Sequence, residues 1–171
     1  MADKPFLESR GLALVKLTPE LVDSFAPSRE NVKEFAEVYK EDPALALRAV
    51  AKSNKAHSFA VVKGEQPLAI TGIVDMQGEG LIWAVFSNEL HKNFVSFARA
   101  SLDLMEFYNR QFPTLVCDVW AQNEMIIQWL CYLRFEPDFG FTHNGHEMIR
   151  FVRSCSDKKS VVTSIQRPVI H

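Results

Sequence analysis

The chain has 171 residues, 47% hydrophobic and 23% charged, with a formal net charge of −2, the size and make-up of an ordinary globular domain. So slight a charge, with no basic block, argues against binding along a nucleic-acid backbone. No apolar run reaches the ~18 residues of a membrane helix, and the opening residues MADKPFLESRG carry no apolar signal-peptide core, so neither a membrane span nor a secretory signal is expected.

LALVKL (12–17) alternates and is rich in strand formers, which predicts a first strand. Thr18-Pro19-Glu20 supplies an N-cap, a proline at the first helical position and an early acid, so a helix should follow to about Phe25. Ser28 can cap a second helix, RENVKEFAEVYK, with Val32, Phe35, Ala36 and Tyr39 forming one apolar side, and Asp42-Pro43 can cap a third, ALALRAVAKS. Beyond Asn54 the rhythm changes. HSFAVVK (57–63), PLAITGIVD (67–75) and LIWAVF (81–86) read as an antiparallel meander joined by the turns GEQ and QGEG. The third of these strands is too apolar to have one wet face and is expected at the centre of a sheet.

A long helix from about Asn93 to Arg110 carries Phe94, Phe97, Ala98, Leu102 and Met105 as one stripe, widened by Val95, Leu104 and Phe107. Pro113 stops it, and TLVCDVW (114–120) is a second central-looking strand. QNEMIIQWLCYLRFEP (122–137) holds a helix from about Asn123 to Arg134, with Ile126, Trp129, Leu130 and Leu133 on one face. Strands at about 138–143 and 146–153 flank Asn144-Gly145, a strong hairpin signal. The closing SCSDKKSVVTSIQRPVIH has little periodicity. The expected division is one domain over 1–153 and a tail, or an arm that orders on a partner, over 154–171.

The order β-α-α(-α)-β-β-β-α-β-α-β-β resembles the GNAT acyltransferase fold, a mixed α/β (α+β) class in which helices flank a mostly antiparallel central sheet. The residues that carry it are strand 81–86 with helix 93–110, strand 114–120 and NEMIIQWLCYLRFEP. More closely, the stretch from PLAITG to MIRFV resembles the GNAT-like internal virion (inner core) proteins of short-tailed bacteriophages. The shared outline is PLAI-G, a Trp-bearing strand ending at VFSN, a long helix, VWAQN, and IIQWLCYLRFEP before an NG hairpin, over about residues 67–152.

The resemblance implies specific chemistry. Coenzyme A needs its pyrophosphate on backbone N–H groups at a helix N-terminus, with glycines to let the backbone approach. Here the segment is SNELHKNFVSF (87–97), without a glycine. His91, Lys92 and Asn93 could face a phosphate, but Glu89 shares the loop, Phe94 and Val95 occupy the helix entry, and an ordinary strand-to-helix turn capped by Asn93 or Asn88 is the favoured reading. The family's proton donor, a Tyr placed between the helix-opening Asn and the closing Phe, falls on Leu130, which has no proton to give. Tyr132 lies about 200° further around the helix. The family's Gly before that Phe is Arg134, strained if the position is left-handed. Asn123 is retained but is also a good N-cap.

No motif distinguishes Asp75, Glu79 or Glu89 as a general base. His143 and His146 read as a cross-strand pair, since further metal ligands are missing. Ser101 and Ser154 lack a nucleophile-elbow pattern, and Trp83, Trp120 and Trp129 read as core. Cys117, Cys131 and Cys155 read as reduced thiols.

The expectation is therefore a structural or interaction protein of a phage virion on a degenerate GNAT frame. Its partners would be virion or host proteins, it would sit in the virion or the host cytoplasm, and it would need no cofactor. The alternative is an acetyl-CoA-dependent N-acetyltransferase acting on a host protein or small amine. Val85, Phe86 and Ser87 would then pair with the pantetheine by backbone bonds, Lys92 and Asn93 would meet the phosphates, and Asn123 would open the cofactor helix. A third reading is a GNAT-like regulator that binds a ligand without transfer.

Overall fold

A computed structural model describes residues 11–53 and 57–155. Strand β1 (Ala13–Lys16) ends at Thr18, whose Oγ1 accepts from the Leu21 N–H and starts helix α1 (Pro19–Asp23). Ser28 caps α2 (Arg29–Glu34), which runs into a π-helical turn, Phe35–Tyr39, closed by Lys40 in the left-handed region (φ 56°). Asp42 accepts from the Ala44 and Leu45 N–H groups and starts α3 (Pro43–Lys52). The meander follows as β2 (His57–Lys63), β3 (Gln66–Met76) and β4 (Glu79–Phe86). A 3₁₀ turn, Leu90–Asn93, leads into α4 (Phe94–Gln111). Then come β5 (Thr114–Trp120), α5 (Glu124–Tyr132), β6 (Glu136–His143) and β7 (His146–Ser154). The predicted order, its third helix and its mixed α/β class are all present. Of the expected arm at 154–171, only Ser154 and Cys155 lie within the described residues.

The strands lie in the order β1-β2-β3-β4-β5-β7-β6. Neighbours are antiparallel except β4 and β5, which run parallel and pair only at Gly80–Leu115 and Leu81–Val116. Beyond that the sheet opens as a fork, with Ile82–Phe86 as one arm and Cys117–Trp120 as the other. Close approach at its base needs Gly80, where a Cβ would fall 2.8 Å from Ile73, 2.9 Å from Leu115 and 3.0 Å from Phe112.

The larger core lies between the sheet and α4 and α5, with Phe86, Phe97, Met105, Leu115, Trp129 and Leu130 at its centre. The other sheet face packs against α1 and α3 through Leu17, Val22, Leu47, Ile70 and Val85. Full burial of each such side chain stabilises the fold by about 1.5–3 kcal/mol.

Two predicted faces differ. In α2 the expected apolar side was Val32, Phe35, Ala36 and Tyr39, yet Val32 and Ala36 are exposed and the buried residues are Asn31, Glu34 and Val38. The side of α2 facing the fork must be polar, because splayed strands have backbone groups to satisfy. In α4, Val95 is 63% exposed, since the helix enters the core only from Phe97 onward.

Candidate active site at the fork of the sheet

The fork's arms carry backbone groups with no strand beside them, and α2 crosses its mouth. Asn31 Oδ1 accepts from the Phe86 N–H at 2.9 Å, and the Ser28 N–H donates to the Phe86 carbonyl at 2.7 Å. One turn later Glu34 reaches the other arm, accepting a backbone hydrogen bond from Trp120 and one from Asn123 Nδ2 at 2.7 Å. Spacing of three residues puts Asn31 and Glu34 on one helix face, and each ties down one arm. Asn123 works twice, because its Oδ1 also accepts from the Ile126 N–H at 3.3 Å and caps α5.

Between the arms lies a cavity of about 310 Å³. Ala84 and Trp83 of β4, Cys117 and Asp118 of β5, and Trp129 of α5 line it on the sheet side, and Glu34, Phe35, Tyr39 and Glu41 close it from the helical layer. Burial raises the Glu34 carboxyl above the ordinary glutamate value, against the lowering effect of its two hydrogen bonds. The Tyr39 hydroxyl is raised by burial and then by the nearby Glu34 carboxylate, so it stays protonated. Cys117 is pushed up to about 12, chiefly by burial, and is held as an unreactive thiol. Asp118 is engaged by Arg150 across the β5–β7 ladder in a bidentate pair at 2.7 and 2.9 Å.

Comparison with solved structures decides the fold. The chain superposes with a TM-score of 0.67 on a GNAT-family acetyltransferase from Bacillus anthracis, at 10% identity over 84% of this chain and 94% of that one. The chain has the GNAT acetyltransferase fold. A ribosomal-protein-S5-alanine acetyltransferase from Vibrio fischeri gives 0.63, at 15% identity over 88% and 96%. A ribosomal L7/L12 alpha-N-protein acetyltransferase in complex with coenzyme A gives 0.64, at 12% identity over 84% and 94%. No protein-family model matches the sequence, and no curated protein does.

The GNAT frame lets each expected cofactor contact be located. Along β4 the Ser87 N–H bonds to the Leu68 carbonyl at 2.9 Å, which sets the ladder's alternation. Ser87 and Val85 therefore point their backbone groups at β3, whereas Phe86 and Ala84 point theirs away from it. Phe86 is already held by Asn31 and Ser28. The backbone facing the open cavity is that of Ala84, one residue before the predicted trio Val85, Phe86 and Ser87.

The loop before α4 fits a pyrophosphate poorly. Its Asn88, Glu89, Leu90 and Lys92 N–H groups are bonded to the Ala26 carbonyl, Ser87 Oγ, and the Ser87 and Glu89 carbonyls. Lys92 pairs with Glu89 at 2.8 Å, and Asn93 Oδ1 accepts from Lys63 Nζ at 2.8 Å. Asn93 is the N-cap residue of α4 but makes no side-chain cap bond.

Leu130 is fully buried. Tyr132 is 45% exposed and does not line the cavity. Arg134 has φ 65°, the left-handed state foreseen for that position. It sits in a Schellman motif in which Phe135 N–H reaches the Leu130 carbonyl and Arg134 N–H the Cys131 carbonyl.

Asp75, Glu79 and Glu89 do not line the cavity. His143 and His146 pair across the hairpin, and among the described residues no group of three possible ligands could hold a metal. Trp120 and Trp129 are core, as expected, whereas Trp83 is half-buried and lines the cavity. No helix among the described residues is long and apolar enough to cross a membrane. Sequence reasoning missed Asn31, Glu34 and Tyr39. The available signal was a pair of polar residues, Asn31 and Glu34, three apart in a helix with apolar residues on either side.

Proposed function

We propose that the protein transfers an acyl group from a thioester of the acetyl-CoA type to an amine, with Glu34 as the proton acceptor. The observation that carries this reading is the cavity at the fork, which Ala84 of β4 and Glu34 of the helical layer both line. A carboxylate offers about four lone-pair sites, and two hydrogen bonds to Glu34 leave capacity for a proton. A carboxyl raised by burial is a stronger base than a solvated one.

In the step proposed, the amine nitrogen bonds to the thioester carbon, the carbon–sulfur bond breaks, sulfur leaves as thiolate, and the ammonium proton passes to Glu34. A thiol with a pKa of about 8.5 is a good leaving group, so solvent can protonate the thiolate and Leu130 is not an obstacle. Calorimetric titration with acetyl-CoA tests the reading. Binding tighter than about 100 μM, followed by turnover that Glu34→Gln abolishes, is expected.

The engaged loop amides favour a second reading, a GNAT-fold interaction or ligand-binding protein that transfers nothing. No heat at millimolar acetyl-CoA selects it. Its finer form, an internal virion protein with virion or host protein partners, rests on the sequence outline alone, and none of the structures named above supports it. On that form, deletion of residues 154–171 weakens incorporation into particles without unfolding the domain, and normal packaging of the truncated chain contradicts it.

A further inference from the structure

The cavity's charge is one-sided. Three acidic residues line it, Glu34, Glu41 and Asp118, and among the described residues no lysine, arginine or histidine does. Asp118 is neutralised by Arg150. That leaves Glu34 buried at the fork and Glu41 exposed, with the rings of Phe35, Tyr39 and Trp83 also in the wall. Trp83 is held over Gly72, where a Cβ would fall 2.6 Å from the indole. Carboxylates and aromatic faces both attract ammonium groups, and rings also cover methylene chains. Phosphate or carboxylate ligands meet only repulsion.

The volume of about 310 Å³ is at the small end of ligand pockets. A peptide N-terminus would bring amides that need partners; Asn31 Oδ1 already accepts from both Phe86 N–H and Ser28 Oγ, and on the proposed reading the Ala84 backbone belongs to the thioester. We infer that the acceptor is a short aliphatic diamine. Its reacting amine lies at Glu34, its methylenes against Phe35, Tyr39 and Trp83, and its distal ammonium at Glu41. The position of the reacting end rests on the proposed transfer; recognition of two positive charges does not.

The test is calorimetric titration of the full chain with putrescine, butylamine and an uncharged-side-chain tripeptide amide, on the native protein and Glu41→Gln. Glu41 is exposed, so its substitution should leave stability within about 0.5 kcal/mol. Putrescine should bind about tenfold more tightly than butylamine, as expected of one added charge-assisted contact, and Glu41→Gln should bring the two within about twofold. Equal affinity of the two amines, an unchanged ratio in Glu41→Gln, or tighter binding of the tripeptide overturns the inference. Selective putrescine binding without acetyl transfer to it upholds recognition of two charges and refutes the transferase reading. Transfer to the tripeptide and not to putrescine does the reverse.

Discussion

Asn123 is the joint between α5 and the fork, and removing it should cost more than a helix cap. Its Oδ1 caps α5 and its Nδ2 holds the buried Glu34 carboxylate at 2.7 Å. Loss of an N-cap costs about 1 kcal/mol, and loss of a hydrogen bond to a charged group about 1.5–3 kcal/mol. Asn123→Ala should therefore destabilise the protein by about 3 kcal/mol, which for a domain of this size lowers Tm by roughly 6–12 °C. In a Glu34→Met background there is no carboxylate to strand, and the same substitution should cost only the cap, about 1 kcal/mol. The coupling energy is then about 2 kcal/mol. Urea denaturation of the four proteins measures it, with m held constant to show that the unfolded state has not changed. A cost below about 1 kcal/mol in both backgrounds, or equal costs in the two, refutes the double role.

Three further outcomes follow from the same geometry. Leu130→Tyr, which introduces the tyrosine that the GNAT resemblance implies, should add no activity and should lose about 1–3 kcal/mol by overpacking a fully buried site; thermal melts and a turnover assay check both parts. Arg134→Gly relieves a left-handed residue worth about 1–2 kcal/mol, offset by about 0.5–1 kcal/mol of added unfolded-state freedom. A small gain in urea midpoint is expected, and a loss contradicts the strained cap. Between the ordinary glutamate value of 4.5 and Glu34's raised value, the folded chain keeps a proton that the unfolded chain has released. Stability should therefore fall as pH rises through that window, and Glu34→Gln should lack this part of the slope; urea midpoints measured across pH show it.

The fold was legible because its signals are local. Thr18-Pro19, Asp42-Pro43, Pro113 and Asn144-Gly145 punctuate the chain, and the apolar strands 81–86 and 114–120 mark the centre of the sheet. Arg134 stood out through the resemblance instead, as a residue with a Cβ where the GNAT pattern has a glycine, and its φ of 65° meets the condition under which it is strained. The candidate site was not legible, because it is made by a divergence between β4 and β5 that no single segment encodes. Apolar periodicity put Val32 of α2 and Ala36 of the π-helical turn on the buried side. The fork instead demanded Asn31 and Glu34, because their side chains satisfy the Phe86 and Trp120 backbone groups that the splay exposes. The π-helical turn then shifts the phase of the helix and brings Tyr39 and Glu41 to the same cavity as Glu34, an offset that a 3.6-residue pattern does not anticipate. Of the predicted trio Val85–Ser87, strand alternation, fixed by the Ser87–Leu68 bond, turns only the Phe86 backbone away from β3, where Asn31 and Ser28 hold it.

The central claim, that Glu34 accepts a proton during acyl transfer at the fork, is tested most directly by thiol release from acetyl-CoA in the presence of a primary amine. The native protein should release thiol only with amine present, faster as pH rises through Glu34's raised value. Glu34→Gln keeps the side chain's size and one acceptor oxygen for Asn123 Nδ2, and should lose about 10²–10⁴-fold in rate. No amine-dependent thiol release from the native protein at millimolar acetyl-CoA, or an undiminished rate in Glu34→Gln, contradicts it.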